Sequence, residues 1–398
     1  MLTERDLACL QEGKPPSDPQ VLGEMTLGYE LWPSLVKEHY LDFFIKEGGS
    51  KVKILIGKEG SGKSHLLKLI ELDARQQGYE TVSFSLRQDF FKFNDMVSLY
   101  RMIAEGIDVK ALSQDLARQF AIFMGYQDVY DGTKTVYEMM VEEGIPVNEA
   151  KREFIKGAAS FVKKADLPPG FKSFVYSMLK AMLESEEECE AILAIAGEWL
   201  KGKNLNRNER SRIQAFEKLN KGNARSWLDA LVKVLVLAGR RGLVLLIDDG
   251  EVITDINPET GRHYYTPGAV KDVCEMIRQF IDDGDILRHL FIVLAGRPEM
   301  LEDMKRGFKS YEALWMRIQS GLTGIERFNS LADVVEVDKY FNLLLKKYEV
   351  KNELNMRLQT VLREAGFKRK MKKGIKIPQT GSILKDTVME VAWLATRE

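Results

Sequence analysis

Eight consecutive residues, Gly57-Lys58-Glu59-Gly60-Ser61-Gly62-Lys63-Ser64, carry the most pointed chemistry in the chain. Their spacing, G-x-x-x-x-G-K-[ST], is that of a loop that wraps polyphosphate. Glycines let the backbone curl until its N–H groups face inward. Lys63 would reach the β- and γ-phosphates, and the Ser64 hydroxyl would hold Mg²⁺. His65 follows in the first turn of the helix that the loop opens, where the positive end of the helix dipole favours an anion. A second centre of charge lies far along the chain. Leu243 to Glu251, LVLLIDDGE, is an apolar strand pattern that delivers acids to the rim of a sheet. Asp248 there would bind Mg²⁺ directly or through water. Asp249 is the candidate for polarising an attacking water, and Glu251 is the competing candidate base.

Two arginines extend this set. Arg297 ends the next apolar run, LAGRPE, where a polar side chain would sense the γ-phosphate; the plainer reading is a surface Arg before Pro298. Arg317, in LWMRI, and Arg327, in IERF, precede the last strand pattern. Many oligomeric ATPases place an arginine finger for the neighbouring subunit there; the plainer reading is an exposed salt bridge.

These residues need a scaffold that brings strand ends together. Val52 to Ile56, Glu80 to Leu86, Gly242 to Asp249, Leu290 to Gly296 and Ala332 to Asp338 read as strands. Continuous apolar strands alternating with helices predict a parallel sheet covered on both faces. Helical patterns fill 94–239, near 94–106, 113–125, 134–144, 147–164, 171–184, 187–201 and 209–239. The expected organisation is an α/β phosphate-loop core. An N-terminal helix and the first half of the core span 1–93, a helical insertion 94–239, the second half of the core 240–338, and a C-terminal helical lid or winged-helix-like domain 339–398. Within that first part, 1–25 reads as a polar lead-in. Tyr29 to Ile45 reads as one helix beside the nucleotide, its aromatic stripe core packing or an adenine border.

Composition narrows the class. The 398 residues are 45% hydrophobic and 29% charged, with a net charge of −1, so no overall basic excess points to nucleic acid. Cys9, Cys189 and Cys274 are too scattered for a disulfide frame, and His39, His65, His263 and His289 lack metal-ligand spacing. The start of the chain reads as no secretory signal and no apolar run suits a membrane span, so the expected setting is the cytoplasm. Phe367-Lys368-Arg369-Lys370-Met371-Lys372-Lys373 is the densest basic run. It is either a solvated loop or a DNA contact made through Lys368–Lys373.

The order of these pieces resembles the P-loop ATP-binding proteins of BREX phage-defence systems, of the BrxC and BrxD type. These fall within the AAA+ class, near the origin-recognition initiator ATPases. The resemblance rests on Gly57–Ser64, Trp199-Leu200-Lys201-Gly202, Gly242–Glu251, Ala295–Glu299 and Arg306–Arg317, and spans about residues 50–340. It implies ATP·Mg²⁺ binding and hydrolysis, partners among other defence proteins, and a homo-oligomer as one assembly. Two departures stand out. Asp249 replaces the usual Glu, which implies slow hydrolysis. Ile377-Pro378-Gln379-Thr380 lacks the lid arginine of T-P-R, leaving that contact to another residue such as Lys385. A nucleotide-gated switch with little turnover and an initiator- or loader-like DNA-binding module are the rival expectations.

Overall fold

A strand that is apolar on both sides cannot leave either face in water, so each such run must be covered twice. In a computed structural model, which describes residues 2–89, 92–319, 334–369, 377 and 379–397, five strands meet that demand in one sheet. They are β1 (Ser50–Ile56), β2 (Glu80–Ser85), β3 (Leu243–Asp248), β4 (Leu290–Gly296) and β5 (Val334–Glu336). All neighbours run parallel, in the order β2-β3-β4-β1-β5. The expected α/β class is what the chain adopts. Register then fixes the site: Ile56 lies opposite Gly296 and Ser85 opposite Asp248. The phosphate loop, the acidic pair and the Arg297 turn therefore leave the same rim.

The two faces bury different partners. Ile54, Val82, Leu245 and Ile292 join one core with the helices of 94–239, including Leu99, Phe120 and Phe171. The insertion thus shares its hydrophobic core with the sheet instead of enclosing one of its own. Trp199 anchors it: its ring stacks on Phe174 at 5.5 Å and lies 4.7 Å from Trp227. The indole N–H donates to the Glu217 carbonyl at 2.9 Å. The Trp199–Gly202 motif accordingly serves packing. The long helix expected over 209–239 is two helices, Arg207–Ile213 and Ala224–Leu237. Gln214, in the left-handed region at φ +52°, ends the first of them.

On the other face Leu55, Val244, Val293 and Val335 pack against the helix Lys63–Gln76 and both ends of the chain. Residues 1–25 are no lead-in. Thr3 and Asp6 form a reciprocal cap on the helix Glu4–Gln11, and Asp18 caps Pro19–Met25. These helices pack on Val337–Lys347, Val350–Glu364 and Ile383–Trp393. The Gln11 side-chain amide donates to the Ala392 carbonyl and the Trp393 indole N–H donates to the Gln11 carbonyl across the contact. The segment expected as one helix over Tyr29 to Ile45 is a short α-helix, Pro33–Val36, running into a π-helical stretch, Lys37–Phe44. Its Trp32 and Tyr40 are buried, and Tyr40 stacks on Phe291 at 5.3 Å. Trp32 and Tyr40 are therefore core, while Phe43 and Phe44 of the same stripe are exposed.

The C-terminal region also holds two short antiparallel strands, β6 (Phe367–Arg369) and β7 (Ala395–Arg397), beside its expected helices. Of the basic run, Lys370 to Lys373 lie outside the described residues, as does Arg327. Among the described residues no helix is long and apolar enough to cross a membrane.

Candidate nucleotide site

The loop after β1 has the backbone its glycines allow. Gly60 and Gly62 sit at φ +73° and +96°, where a side chain would be strained. A Cβ on Gly57 would fall 2.5 Å from the Ser61 hydroxyl oxygen. Gly62 caps the helix Lys63–Gln76 without a side-chain acceptor, so its first N–H groups stay open toward the loop. Lys63 Nζ donates to the carbonyls of Gly57 and Lys58 at 2.8 and 2.9 Å. Burial pushes the Lys63 amine's pKa down, and the nearby Glu251 and Asp248 carboxylates work against that.

β3 brings the second half of the site to the first. The Ser64 hydroxyl donates to Asp248 Oδ2 at 2.6 Å, although 184 positions separate the two residues. Burial raises the Asp248 pKa; the Ser64 hydrogen bond opposes the rise. Asp249 takes a left-handed backbone, φ +57°, uncommon for a residue with a side chain. Its carboxylate accepts the Ser85 hydroxyl at the end of β2. Ser85 Oγ in turn accepts the N–H groups of Arg87 and Gln88 at 3.1 and 3.0 Å.

Glu251 is buried. It accepts the Arg297 backbone N–H at 3.2 Å, and both the Arg297 and Arg87 guanidinium groups lie within 3.5 Å of it. Asp255 holds the same two arginines. Arg297 Nη2 bridges both its oxygens at 2.6 and 2.8 Å, and Arg87 Nη2 reaches Oδ2 at 2.6 Å. From the C-terminal side the Ser382 hydroxyl donates to the Gly60 carbonyl at 2.6 Å, and Lys385 pairs with Glu59 at 3.0 Å. The Lys58 N–H faces the Asp338 carboxylate.

These groups open onto one cleft of about 980 Å³. Lys63, Ser64, Asp248, Asp249 and Arg297 line it, and apolar wall comes from Met25, Leu27, Leu384 and Val388. The Ser61 hydroxyl and Arg297 Nε are buried donors with no hydrogen-bond partner among the described residues. Both residues border the cleft, and Arg297 Nε lies 3.4 Å from Glu251 Oε1 without hydrogen-bond geometry, so the Ser61 hydroxyl is the donor an oxyanion in the cleft would satisfy. The donor set suits Mg²⁺ as well: Ser64 and Asp248 are hard oxygen ligands. Among the described residues no three His, Cys, Asp or Glu side chains could hold a metal by themselves. An ion at this place would thus share phosphate oxygens, as Mg²⁺ does in nucleotide sites.

Of the residues singled out by sequence, the loop residues 57–64, Asp248, Asp249, Glu251 and Arg297 converge. Glu59 is mostly exposed and meets the helix Ile383–Trp393 through Lys385. The His65 ring bonds the Thr26 hydroxyl at 2.9 Å, both residues bordering the cleft, and loss of solvation drops its pKa to about 4. Arg317 does not join them: it grips Asp282 at 2.9 and 3.0 Å on the outside of the helix Glu312–Ile318. Ser85, Arg87, Asp255 and Ser382 belong to the site but carry no motif. Ser85 ends β2 and Arg87 lies two residues beyond it, and their place in the site follows from the pairing of β2 with β3.

Compared with known proteins, residues 25–360 match a family model described as BREX system ATP-binding protein BrxC/D. Neither the curated proteins nor the solved structures give a match to the chain.

Proposed function

The chain belongs to the BREX system ATP-binding protein family BrxC/D, and on that premise we propose that it is a Mg²⁺-dependent, AAA+-like ATPase of slow turnover. One observation carries the reading: Ser64 of the phosphate loop and Asp248 of β3 meet at 2.6 Å in front of Lys63. Ser64 and Asp248 would hold Mg²⁺, and the ion would supply positive charge against the phosphate oxygens. Lys63 exchanges its loop carbonyls for those same oxygens. Water attacks the γ-phosphorus, the bond to the β–γ bridging oxygen breaks, and ADP and inorganic phosphate leave. Asp249 orients the water and takes its proton. It does so from a short side chain already bonded to Ser85, which is the physical ground for slow turnover. Glu251 serves instead to fix the Arg297 turn.

Ser382 and Lys385 tie the C-terminal helix to the loop, so nucleotide exchange would alter the grip of lid on core. Other proteins of the same defence system, in the cytoplasm where ATP is supplied, are the partners this reading implies. A DNA contact through Lys368–Lys373 rests on charge alone, and a homo-oligomer completed by Arg317 rests on that residue's place at the surface. The rival reading, a nucleotide-gated switch, is favoured by the Ser85–Asp249 bond, which keeps the water-orienting carboxylate occupied. Steady-state phosphate release from the wild-type protein and Lys63→Ala separates the two. Turnover lost in the variant supports the ATPase; equal signals at background leave only the switch.

A further inference from the structure

Arg87 has no motif and no assigned role, yet it is built into the phosphate end of the cleft. It lies two residues beyond β2, and its backbone N–H is pinned to the Ser85 hydroxyl that also bonds Asp249. Its guanidinium shares Asp255 and Glu251 with Arg297, and all four side chains border the cleft. Two cations against two anions make a neutral cluster beside Lys63 and Asp248. The two arginines come from the loops just past β2 and β4, which flank β3, so both guanidinium groups are delivered to the same rim on either side of the strand that carries Asp248. Arg297 Nε is moreover a buried donor lacking a hydrogen-bond acceptor among the described residues. The cluster has more donors than its two carboxylates satisfy.

Resting on the nucleotide reading above, we propose that Arg87 and Arg297 together form a γ-phosphate reader that discriminates triphosphate from diphosphate. Asp255 serves as the resting counter-ion from which they are exchanged. A terminal phosphate carries about two charges and three acceptor oxygens. It competes for planar guanidinium donors that a lone β-phosphate, held by the loop N–H groups and Lys63, leaves with Asp255. The pair differs from Lys63, which neutralises charge common to both nucleotides.

The test is equilibrium competition of Mg·ATP analogue (non-hydrolysable) and Mg·ADP against a fluorescent ADP probe, on the full chain. Arg87→Ala is expected to weaken triphosphate about tenfold, the value of one charge-assisted contact, with ADP unchanged within twofold. Arg87→Lys, which keeps charge but not the fork, should recover only part of that loss. Asp255→Asn removes the competing anion and should shift the triphosphate-to-diphosphate ratio the other way. An unchanged ratio in Arg87→Ala and Arg87→Lys, an equal loss of both nucleotides, or a ratio that falls in Asp255→Asn would overturn the proposal. Lys63→Ala in the same assay keeps the two readings apart. If it loses both nucleotides while Arg87→Ala keeps the wild-type ratio, only the reader fails. If Lys63→Ala binds both normally, the site assignment itself fails.

Discussion

Asp248→Asn pulls apart two quantities that most site variants lower together. In the nucleotide-free protein the Asp248 carboxylate is half-buried, next in sequence to a second carboxylate, with its pKa raised by burial. Desolvating such a charge costs several kcal/mol, and its two hydrogen bonds, from Ser64 Oγ and the Asp249 N–H, return about 1.5–3 kcal/mol each. Asparagine keeps one acceptor oxygen for Ser64, gives up the bond from the Asp249 N–H, and sheds the charge. The expected net effect is a gain near 1 kcal/mol, roughly 1–2 °C in Tm for a chain of this length. With Mg·ATP the sign reverses. One charged ligand is lost from the metal, about 1.5–3 kcal/mol, or 10- to 150-fold in affinity. In EDTA the variant should bind ATP as well as wild type or better, because a negative side chain near the phosphates is gone. Titration calorimetry with and without Mg²⁺, beside a thermal melt, reads all three numbers. An equal loss with Mg²⁺ and EDTA, or a clear fall in Tm without nucleotide, would show that Asp248 is a structural strut and refute the shared-ion geometry.

Two further outcomes follow from the packing. Trp199→Ala removes a ring that is 2% exposed and stacked among Phe174, Phe171 and Trp227; a loss of about 3–5 kcal/mol in denaturant unfolding is expected. Because the insertion shares the sheet's core, that loss should appear in a single transition and not in an early separate one. His65 is held neutral in the fold, its pKa at about 4 against 6.5 when unfolded, so the unfolded chain binds the extra proton between those values. Stability from this group is therefore full above pH 6.5 and drains away as pH falls toward 4. After allowing for the ring's partial exposure it amounts to about 1–2 kcal/mol. His65→Asn should flatten that part of a stability-against-pH curve; an unaltered slope would remove His65 as its source.

Sequence patterns reached the parts of the site that are local. The phosphate loop is contiguous, and its glycines, Lys63 and Ser64 sit where a strand-to-helix turn must put them. Asp248 was legible because an apolar run must end at a sheet rim. Arg87 and Asp255 were not, because their meaning arises only when segments more than 160 positions apart lie side by side. Strands of three residues such as β6 and β7 carry no readable alternation, and their pairing across the chain supplies what their pattern lacks. Residues 1–25 were misjudged for a different reason. Their polarity suggested a tail, while Thr3 with Asp6, and Asp18 before Pro19, already spelled two helix starts. The long helix expected over 209–239 overlooks the turn Asn220-Lys221-Gly222-Asn223 ahead of Ala224–Leu237, whereas Gln214 ends the first helix in a left-handed conformation that Gly or Asn would have announced.

The pocket is closed by stretches that leave the ribosome at opposite times. Gly13 packs on Lys385, Gln11 on Ala392, and Ser382 on the loop at Gly60. A nascent chain will have made its phosphate loop early and its acidic strand midway, yet the clamp over both waits for the helix Ile383–Trp393. Contacts between residues so distant in sequence form late in folding. Nucleotide, by bridging the loop and that helix, would act as a latch on their docking, and a chain arrested before it would have to solubilise the unpaired apolar faces of the helices Glu4–Gln11 and Pro19–Met25.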